Sequence, residues 1–261
     1  MIYWNPDPVI FRIGLWALRW YSLMFMIAFL LGYLIFKWIF IREQKKVEVL
    51  ESLFIHVFFG TLIGARLGHC IFYDPIYYFK NPLEILQVWK GGLASHGAAI
   101  GILTSIYLFT RKNRNYSYIW ILDRLSIVVA LGGVFVRLGN LFNSEIIGRP
   151  TSLPWAFIFL RVDRIPRHPT QLYEAFAYLW VFIILFHLYR RSWKTLASGK
   201  LLGVFMLGIF GSRFLIEFLK ENQSAFEASL PLNMGQLLSL PFILLGLWML
   251  LRRNPKPDTM K

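Results

Sequence analysis

Charged and amide side chains gather in the stretch 137–149, at the end of a long apolar run. Arg137, Asn140, Asn143 and Glu145 follow one another there, and Gly148 closes the group. An arginine inside a lipid bilayer costs roughly 2.5–3.5 kcal/mol even by the lower estimates. These side chains must therefore face a protein interior or a water-filled cavity. A guanidinium binds phosphate oxygens through two parallel hydrogen bonds, so the residue types fit an anionic group handled near one membrane surface.

Further residues capable of chemistry lie outside this stretch, and each has a second explanation. Arg213 and Glu217 are four residues apart, so they either contribute to a site or simply pair with each other on one helix face. Arg66 either binds an anion or extends to the membrane surface. His96 either transfers protons or packs within a helix, and its small neighbours favour proton transfer. Tyr21, which follows a tryptophan, is typical of a membrane interface.

The residue pattern predicts neither a metal site nor a covalent enzyme intermediate. The chain has no His-x-x-x-His pair, no carboxylate cluster with metal-ligand spacing, and no serine or cysteine matched to a base. Its one cysteine, Cys70, excludes an internal disulfide. We therefore expect direct transfer between two bound substrates, with no cofactor.

Apolar runs long enough to cross a membrane carry these residues. Of 261 residues, 57% are hydrophobic and 16% are charged, which is more apolar than a soluble domain. Runs of about twenty apolar residues predict membrane-spanning helices. We expect an all-α polytopic membrane protein with seven transmembrane helices in a single integral membrane domain, residues 1–261. The predicted spans are 21–41, 50–73, 92–110, 119–142, 172–189, 201–219 and 234–251.

Two segments of these elements have a distinctive composition. Residues 1–20 mix aromatic residues with arginines, so they are expected to form an interfacial N-terminal arm at the headgroup level. The second span contains Gly60, Gly64 and Gly68, a spacing of small residues that predicts close contact with another helix.

The distribution of basic residues predicts the orientation. The net charge of +14 comes from short clusters between apolar runs, which fits lipid headgroups and topology signals better than a nucleic-acid surface. The connections after spans 1, 3, 5 and 7 are rich in lysine and arginine, which places the N-terminus outside and the C-terminus in the cytoplasm. The connection after span 4 departs from this pattern, and an anionic-lipid site would explain its arginines: Arg149, Arg161, Arg164 and Arg167.

This orientation brings the polar residues of the spans to one level. Residues at the start of odd spans and at the end of even spans fall in the outer leaflet, whereas the inner halves hold few polar residues. The sequence therefore predicts one site toward the outer leaflet. The polar residues at this level are Tyr21, Arg66, His96, Arg137, Asn140, Gln171, Tyr173, Glu174, Arg213, Glu217, Asn233 and Gln236.

The stretch 137–149 resembles the signature of a known family. The run Arg137-x-Gly139-Asn140-x-x-Asn143-x-Glu145-x-x-Gly148 is similar to that of bacterial prolipoprotein diacylglyceryl transferases. Further blocks match along the whole chain and in order. They are Asp7-Pro8-Val9-Ile10-Phe11 with Trp20-Tyr21, Gly64-Ala65-Arg66-Leu67-Gly68, Ser95-His96-Gly97, Arg167-His168-Pro169-Thr170-Gln171-Leu172-Tyr173-Glu174, Arg213 with Glu217, and Met234-Gly235-Gln236.

The resemblance implies a reaction and its partners. Enzymes of this family move the sn-1,2-diacylglyceryl group of phosphatidylglycerol onto the lipobox cysteine thiol of a preprolipoprotein. The products are a thioether-linked prolipoprotein and glycerol 1-phosphate, in the first step of bacterial lipoprotein maturation. The implied partners are phosphatidylglycerol, a preprolipoprotein signal peptide with its lipobox cysteine, and membrane lipids, without nucleic acid. The implied location is the bacterial cytoplasmic (inner) membrane.

The resemblance also implies roles for residues. His96 matches the candidate base, while Arg137 and Arg213 match arginines that hold the phosphate and stabilise charge on the leaving group. Tyr21 is predicted to be catalytic with them. The residues predicted to bind substrate are Arg137, Asn140, Asn143, Glu145, Gly148, Arg66 and Glu217. Either His96 or an arginine-lowered thiol pKa would generate the thiolate, and the sequence leaves that choice open. It also leaves open acyl-chain preference, oligomeric state and binding order.

The chain departs from the family pattern at three places. Ala98 stands where a second glycine usually follows His-Gly, and Ile209 stands where a tyrosine is common. The segment 149–167 is short. These departures affect substrate-loop details rather than the reaction. Two other classes stay open: a phospholipid acyltransferase, and a lipid transporter, which would carry polar residues along a whole path and often a repeated half.

Overall fold

The computed structural model describes residues 1–14, 16–88, 91–222 and 230–252, without the Trp16 side chain. Within these ranges eight α-helices carry most of the chain, and five short strands form two small sheets. Short 3₁₀ turns cover Pro82–Leu86 and Glu217–Leu219. The helices are α1 (Trp20–Arg42), α2 (Val47–Phe72), α3 (Pro75–Lys80), α4 (Ser95–Lys112), α5 (Tyr118–Asn143), α6 (Thr170–Ser192), α7 (Lys200–Ile216) and α8 (Met234–Leu251).

Six helical segments of the described residues are long and apolar enough to cross a membrane. They are Trp20–Arg42, Val47–Phe72, Tyr118–Asn143, Thr170–Ser192, Lys200–Leu219 and Met234–Leu251, each within three residues of a predicted span. A largely helical polytopic membrane protein is thereby confirmed. The remaining predicted span, 92–110, corresponds to α4. It is not among the six because His96, Arg111, Lys112 and several small polar residues lower its hydropathy.

Five strands lie in regions for which the sequence analysis predicted none. In the N-terminal arm, β1 (Ile2–Trp4) is followed by β2 (Val9–Ile13) and β3 (Trp16–Arg19), and the last two pair antiparallel. Strand β1 instead pairs in parallel with β4 (Phe157–Phe159), which pairs antiparallel with β5 (Pro166–Arg167). Strands this short carry too few residues to show a period-two pattern, so hydrophobic periodicity did not reveal them.

The chain groups into two compact units. The first consists of Met1–Ile35 with Leu122–Thr259, and the second consists of Phe36–Ile121. In the second of these, α2 packs closely on α4 through glycines. A Cβ atom on Gly64 would collide with the carbonyl oxygen of Gly97 and lie 2.8 Å from Gly101 Cα. A Cβ on Gly68 would lie 2.6 Å from Gly97 Cα. The predicted close contact at the glycines of the second span is therefore confirmed, with α4 as the partner.

In the other unit, two arrangements fix the elements that carry the site. The buried aromatic residues Phe157 and Phe159 pack with Leu141 near the end of α5, so the β1–β4–β5 sheet supports that end. The buried carboxylate of Asp123 accepts the backbone N–H groups of Gly199 (2.7 Å) and Leu202 (2.8 Å). Unpaired N–H groups at a helix start need such an acceptor, so Asp123 fixes where α7 begins.

Candidate active site

The signature stretch leaves α5 through a strained turn. Ser144 and Ile146 both have positive φ, +57° and +56°. For a β-branched residue such as isoleucine this conformation is a genuine outlier, which costs about 1–3 kcal/mol and needs support from its surroundings. The first turn of α6 supplies that support. Thr170 Oγ1 donates to the carbonyl of Ile146 (2.9 Å), and Gln171 Nε2 donates to that of Glu145 (2.6 Å).

Amide side chains connect Arg137 to Glu145 across this turn. Arg137 Nη1 donates to Oδ1 of Asn140 at 3.1 Å, and Asn140 Nδ2 donates to Glu145 Oε2 at 3.2 Å. Asn143 Nδ2 donates to the other oxygen of Glu145 at 3.1 Å. Asn140 is buried, whereas Glu145 is exposed. The four predicted residues therefore form one continuous network that sets the orientation of the arginine.

Two glycines of the signature permit close approach of other groups. A Cβ on Gly148 would collide with the carbonyl oxygen of His168 and lie 2.9 Å from that of Leu219. A Cβ on Gly139 would lie 2.8 Å from Cδ2 of Tyr21, so the tyrosine ring packs directly against α5 between Arg137 and Asn140. Gly148 thus contributes through its backbone, whereas Gly139 makes room for a side chain predicted to be catalytic.

Arg137 pairs with Glu174 of α6. Its Nε atom lies 2.9 Å from Glu174 Oε2, with the two side chains 11% and 0% exposed. The N–H does not point at that oxygen, so the contact is an ion pair rather than a directed hydrogen bond. Tyr178 completes this side of the site. Its hydroxyl donates to Glu174 Oε1 (3.1 Å), and its ring centre lies 5.9 Å from Arg137 Cζ.

Lys220 follows the 3₁₀ turn after α7 and binds two carboxylates. Its Nζ lies 3.0 Å from Glu174 Oε1 and 2.9 Å from Glu217 Oε2, and its side chain is only 2% exposed. Arg213 Nε is farther from Glu217, 4.0 Å, and its side chain is 36% exposed. A Cβ on Gly235 would lie 2.6 Å from Glu217 Oε1, so the start of α8 also adjoins this carboxylate. The nearer partner of Glu217 is therefore Lys220.

We call Arg137, Arg213, Lys220, Glu174 and Glu217 the charged cluster. Three cations face two carboxylates, which leaves one positive charge in excess. Buried charges are expensive unless they are paired, because the interior solvates them poorly. Arg213 is the most exposed of the three cations, so it is the group best placed to meet a ligand. The cluster therefore has the net positive charge needed to bind an anion.

The chain before α6 is clamped by Arg167. Its Nη2 lies 2.6 Å from Asp163 Oδ2, and its Nη1 lies 2.6 Å from Glu221 Oε1 and donates to the Gly148 carbonyl at 3.2 Å. The hydrogen bond from Arg167 holds the pKa of the Asp163 carboxyl below its ordinary value. The same bond raises the pKa of Arg167. Burial lowers the pKa of the neighbouring His168 imidazole.

Arg66 belongs to the Phe36–Ile121 unit and is buried. Its guanidinium donates to the backbone carbonyls of Glu84, Ile85 (2.9 Å), Gly91 (2.7 Å) and Gly92 (3.2 Å). These contacts hold the chain that leads into α4. The substrate-binding role of Arg66 stays a prediction, and its hydrogen bonds favour a role in positioning this segment.

His96 lies in the same unit, exposed in the first turn of α4. Its ring centre lies 5.1 Å from that of Phe72 and 5.9 Å from that of Tyr73, both at the end of α2. The close packing of Gly97 on Gly68 brings the ring into this position. His96 therefore lies against an aromatic surface and keeps an accessible imidazole.

The predicted residues are thus divided between the two units. Tyr21, Arg137, Asn140, Asn143, Glu145, Gly148, Arg213 and Glu217 lie in one unit, and Arg66 and His96 lie in the other. The sequence analysis overlooked Lys220, and it noted Glu174 at the outer level and in a family block without assigning it a role. Spacing could have revealed Lys220, since it follows Glu217 by three residues and Arg213 by seven and so shares their helix face.

Comparison with known proteins identifies the family of this chain. A model of the family described as prolipoprotein diacylglyceryl transferase matches residues 8–252. A protein of Tolumonas auensis named phosphatidylglycerol–prolipoprotein diacylglyceryl transferase is 45% identical over 251 residues, covering 96% of this chain and 97% of its own. Proteins of that name from Chloroherpeton thalassium and Porphyromonas gingivalis are 46% and 45% identical and cover 94% and 100% of this chain, and 91% and 97% of their own lengths. The chain belongs to the prolipoprotein diacylglyceryl transferase family.

Proposed function

We propose that this chain transfers the sn-1,2-diacylglyceryl group from phosphatidylglycerol to the lipobox cysteine of a preprolipoprotein. The cysteine thiolate attacks the glyceryl methylene carbon that carries the phosphate oxygen. A carbon–sulfur bond forms, the carbon–oxygen bond breaks, and glycerol 1-phosphate leaves with the electron pair. Family membership and the names of relatives that cover nearly the whole chain support this reaction.

The charged cluster is the observation that carries the proposal. The leaving phosphate gains a second negative charge as the carbon–oxygen bond breaks, so groups that stabilise this charge accelerate the reaction. Arg137 is held at its Nε and Nη1 by Glu174 and Asn140, and Arg213 is the more exposed cation beside Glu217. The one excess positive charge of the cluster matches the negative charge on the phosphate of phosphatidylglycerol. Lys220 contacts both carboxylates and, with Arg137 at Glu174, reduces their repulsion of the ligand.

The remaining signature residues would shape the phosphate site. Asn140, Asn143 and Glu145 orient Arg137, while Gly148 and the turn at Ile146 fix the chain beside them. Tyr21 packs on the same stretch of α5 and would present its hydroxyl to the substrate. These assignments rest on the network described above and on the family resemblance.

Formation of the thiolate has two candidate causes. A cysteine thiol with a pKa of about 8.5 is mostly protonated at neutral pH, so either a base or a nearby cation must assist. His96 is accessible, and an imidazole exchanges protons in this pH range. A positive field from the arginines would instead lower the thiol pKa. We propose His96 as the base, because its accessible ring suits a substrate that arrives from outside the chain.

We also propose seven spans, with the N-terminus outside, the C-terminus cytoplasmic and the active site toward the outer leaflet of the bacterial inner membrane. With 18 residues, α4 is about 27 Å long, which is close to the thickness of the hydrocarbon core. Its glycine contact with α2 supports its insertion as a span in addition to the six. The basic residues that end α1, α4 and α6 support the orientation. We treat the chain as one integral membrane domain.

The direct test is a reaction with purified protein. The protein is incubated with phosphatidylglycerol and a lipobox peptide, and the peptide is analysed by mass spectrometry. A gain of one diacylglyceryl group, with release of glycerol 1-phosphate, is expected. A peptide whose lipobox cysteine is replaced by serine is the control and should gain nothing. A gain of a single acyl group would indicate an acyltransferase. Unmodified peptide with lipid crossing a bilayer would indicate a transporter.

A further inference from the structure

The turn between β4 and β5, residues 160–165, has a composition that the reaction does not explain. We call it the hairpin tip. Its sequence alternates apolar and basic residues around one acid. Leu160, Val162 and Ile165 are 41%, 49% and 43% exposed, although they lie outside every helix that could span a membrane. Exposed apolar side chains grouped in a turn outside the spans indicate a surface that meets another apolar phase.

The most exposed charged side chains of the hairpin tip are positive. Arg161 and Arg164 are exposed. The one acid, Asp163, turns toward Arg167, whose Nη2 lies 2.6 Å from Asp163 Oδ2. The carboxylate therefore faces Arg167, which also binds Glu221, rather than the two arginines of the tip. The three arginines and two carboxylates together keep a net positive charge. Apolar residues interleaved with arginines are typical of segments that bind an anionic membrane interface.

The tip is held in a fixed conformation. Phe157, Ile158 and Phe159 of β4 are buried and pair with β1, which anchors one arm of the hairpin. In the turn, the N–H of Val162 donates to the Phe159 carbonyl at 2.8 Å, and that of Ile165 donates to Asp163 Oδ1 at 3.0 Å. A preorganised turn loses little conformational entropy when it binds a surface.

The tip also lies close to a membrane surface. Strand β5 ends at Arg167, and α6, one of the six candidate spans, begins at Thr170. The five-residue path from Ile165 to Thr170 covers at most about 17 Å when fully extended. The tip is therefore within reach of the headgroup layer at the end of the membrane where α6 begins.

We propose that the hairpin tip binds the anionic phospholipid surface at this end of α6. Arg161 and Arg164 contact headgroup phosphates, and Leu160, Val162 and Ile165 enter the interface beside them. The proposal does not depend on the transfer reaction. It explains why Arg161 and Arg164, two of the four arginines in the connection after α5, lie on the side where the positive-inside rule predicts few.

The test places a fluorescent probe on the tip. Cys70, the only cysteine, is replaced by alanine, and Val162→Cys carries an environment-sensitive fluorophore. The full chain is reconstituted in nanodiscs of phosphatidylcholine alone, or with increasing phosphatidylglycerol or phosphatidylserine. We expect a blue shift, and quenching by brominated lipid tails, with either anionic lipid, reversed at high salt. An emission maximum that stays at its value in water in all lipids would overturn the proposal.

Charge variants make the result specific. Arg161→Gln with Arg164→Gln should weaken binding to the anionic lipid surface by about 25-fold, since each surface arginine is worth roughly a fivefold change in binding. Arg190→Gln with Arg191→Gln, in the last turn of α6, removes the same charge elsewhere and should leave the effect intact. Three outcomes would contradict binding to the lipid surface. They are equal effects of the two variant pairs, a response to phosphatidylglycerol but not to phosphatidylserine, and a response that requires added lipobox peptide.

Discussion

The Nζ atom of Lys220 lies 3.0 Å from Oε1 of Glu174, although the two residues are far apart in the chain and both side chains are buried. A buried carboxylate that loses its partner keeps its desolvation cost without compensation. We therefore expect Lys220→Met to lower the free energy of unfolding by about 3–5 kcal/mol and to reduce transfer activity. Thermal unfolding in detergent, with activity at matched protein level, measures both.

Two further variants separate charge from volume at this position. Lys220→Arg keeps the cation and should retain most of the stability. Lys220→Met combined with Glu217→Gln removes one unpaired carboxylate, so it should recover part of the stability but not the activity. An unfolding midpoint unchanged in Lys220→Met would show that the lysine is not needed to neutralise the cluster.

Lysine should replace the two arginines of the cluster poorly. An ammonium is a point charge and cannot reproduce the guanidinium fork, so Arg137→Lys loses the simultaneous contacts to Glu174 and Asn140. We expect transfer to fall by about 10²–10³-fold in Arg137→Lys and in Arg213→Lys, with membrane insertion retained. If Arg213 only balanced Glu217, Arg213→Lys would keep most of the activity, and Glu217→Gln would remove the need for a cation at position 213. Full activity of Arg137→Lys would exclude the phosphate fork.

His96→Gln separates the two sources of the thiolate. Loss of a general base typically costs 10²–10⁴-fold, so we expect a fall of this size, while binding of phosphatidylglycerol persists. The dependence of the residual rate on pH should then follow the peptide thiol alone. Near-normal turnover at neutral pH would favour activation of the thiol by the arginines and leave His96 as part of the aromatic packing at Phe72 and Tyr73.

The Arg167 clamp predicts how the hairpin responds to acid. The pKa of Asp163 is held below its ordinary value of 3.8 by the hydrogen bond from Arg167. A depressed folded-state pKa contributes stability above the unfolded pKa, and that stability is lost as pH falls through the folded pKa. A spin label at Val162 should therefore stay ordered at neutral pH and gain mobility only below about pH 4. In Asp163→Asn the label should be more mobile at neutral pH, with no further acid transition.

Cysteine accessibility tests the orientation. In a Cys70→Ala background, Asn81→Cys should react with a membrane-impermeant thiol reagent in intact cells, because the connection after α2 is predicted to be outside. Lys112→Cys, in the last turn of α4, should react only after the cells are permeabilised. Both positions are exposed, so access to the reagent depends on the side of the membrane. The reverse labelling would place the cluster toward the cytoplasm.

Length and apolar composition were sufficient to predict the seven long helices, but not the short α3. A span must cover the hydrocarbon core, so its ends are marked by a change from apolar to polar residues, as at Arg42 and Asn143. Local spacing was also sufficient for the Arg137–Asn140–Glu145 network, since these residues follow one another along one helix end and its turn. The glycines of α2 indicated close packing because no other residue allows it.

Pairings between distant segments could not be predicted in this way. Glu174 reaches Arg137 only because α6 lies beside α5, and the sequence does not specify the register of two helices. Lys220 alone at the end of a span is indistinguishable from a lysine that extends to the membrane surface. The β1–β4 pairing depends on residues more than a hundred positions apart, so no local pattern reveals it.

That pairing has a consequence for biogenesis. Ile2 is made before its partner Phe157, which follows only after four helices of the membrane bundle, α1, α2, α4 and α5. At about 5–20 residues per second, the first strand waits roughly ten to thirty seconds for its partner. During that interval its backbone N–H and C=O groups are open to other chains. Completion of the sheet is thus a late assembly step, and a chaperone that shields nascent N-termini would act within this interval.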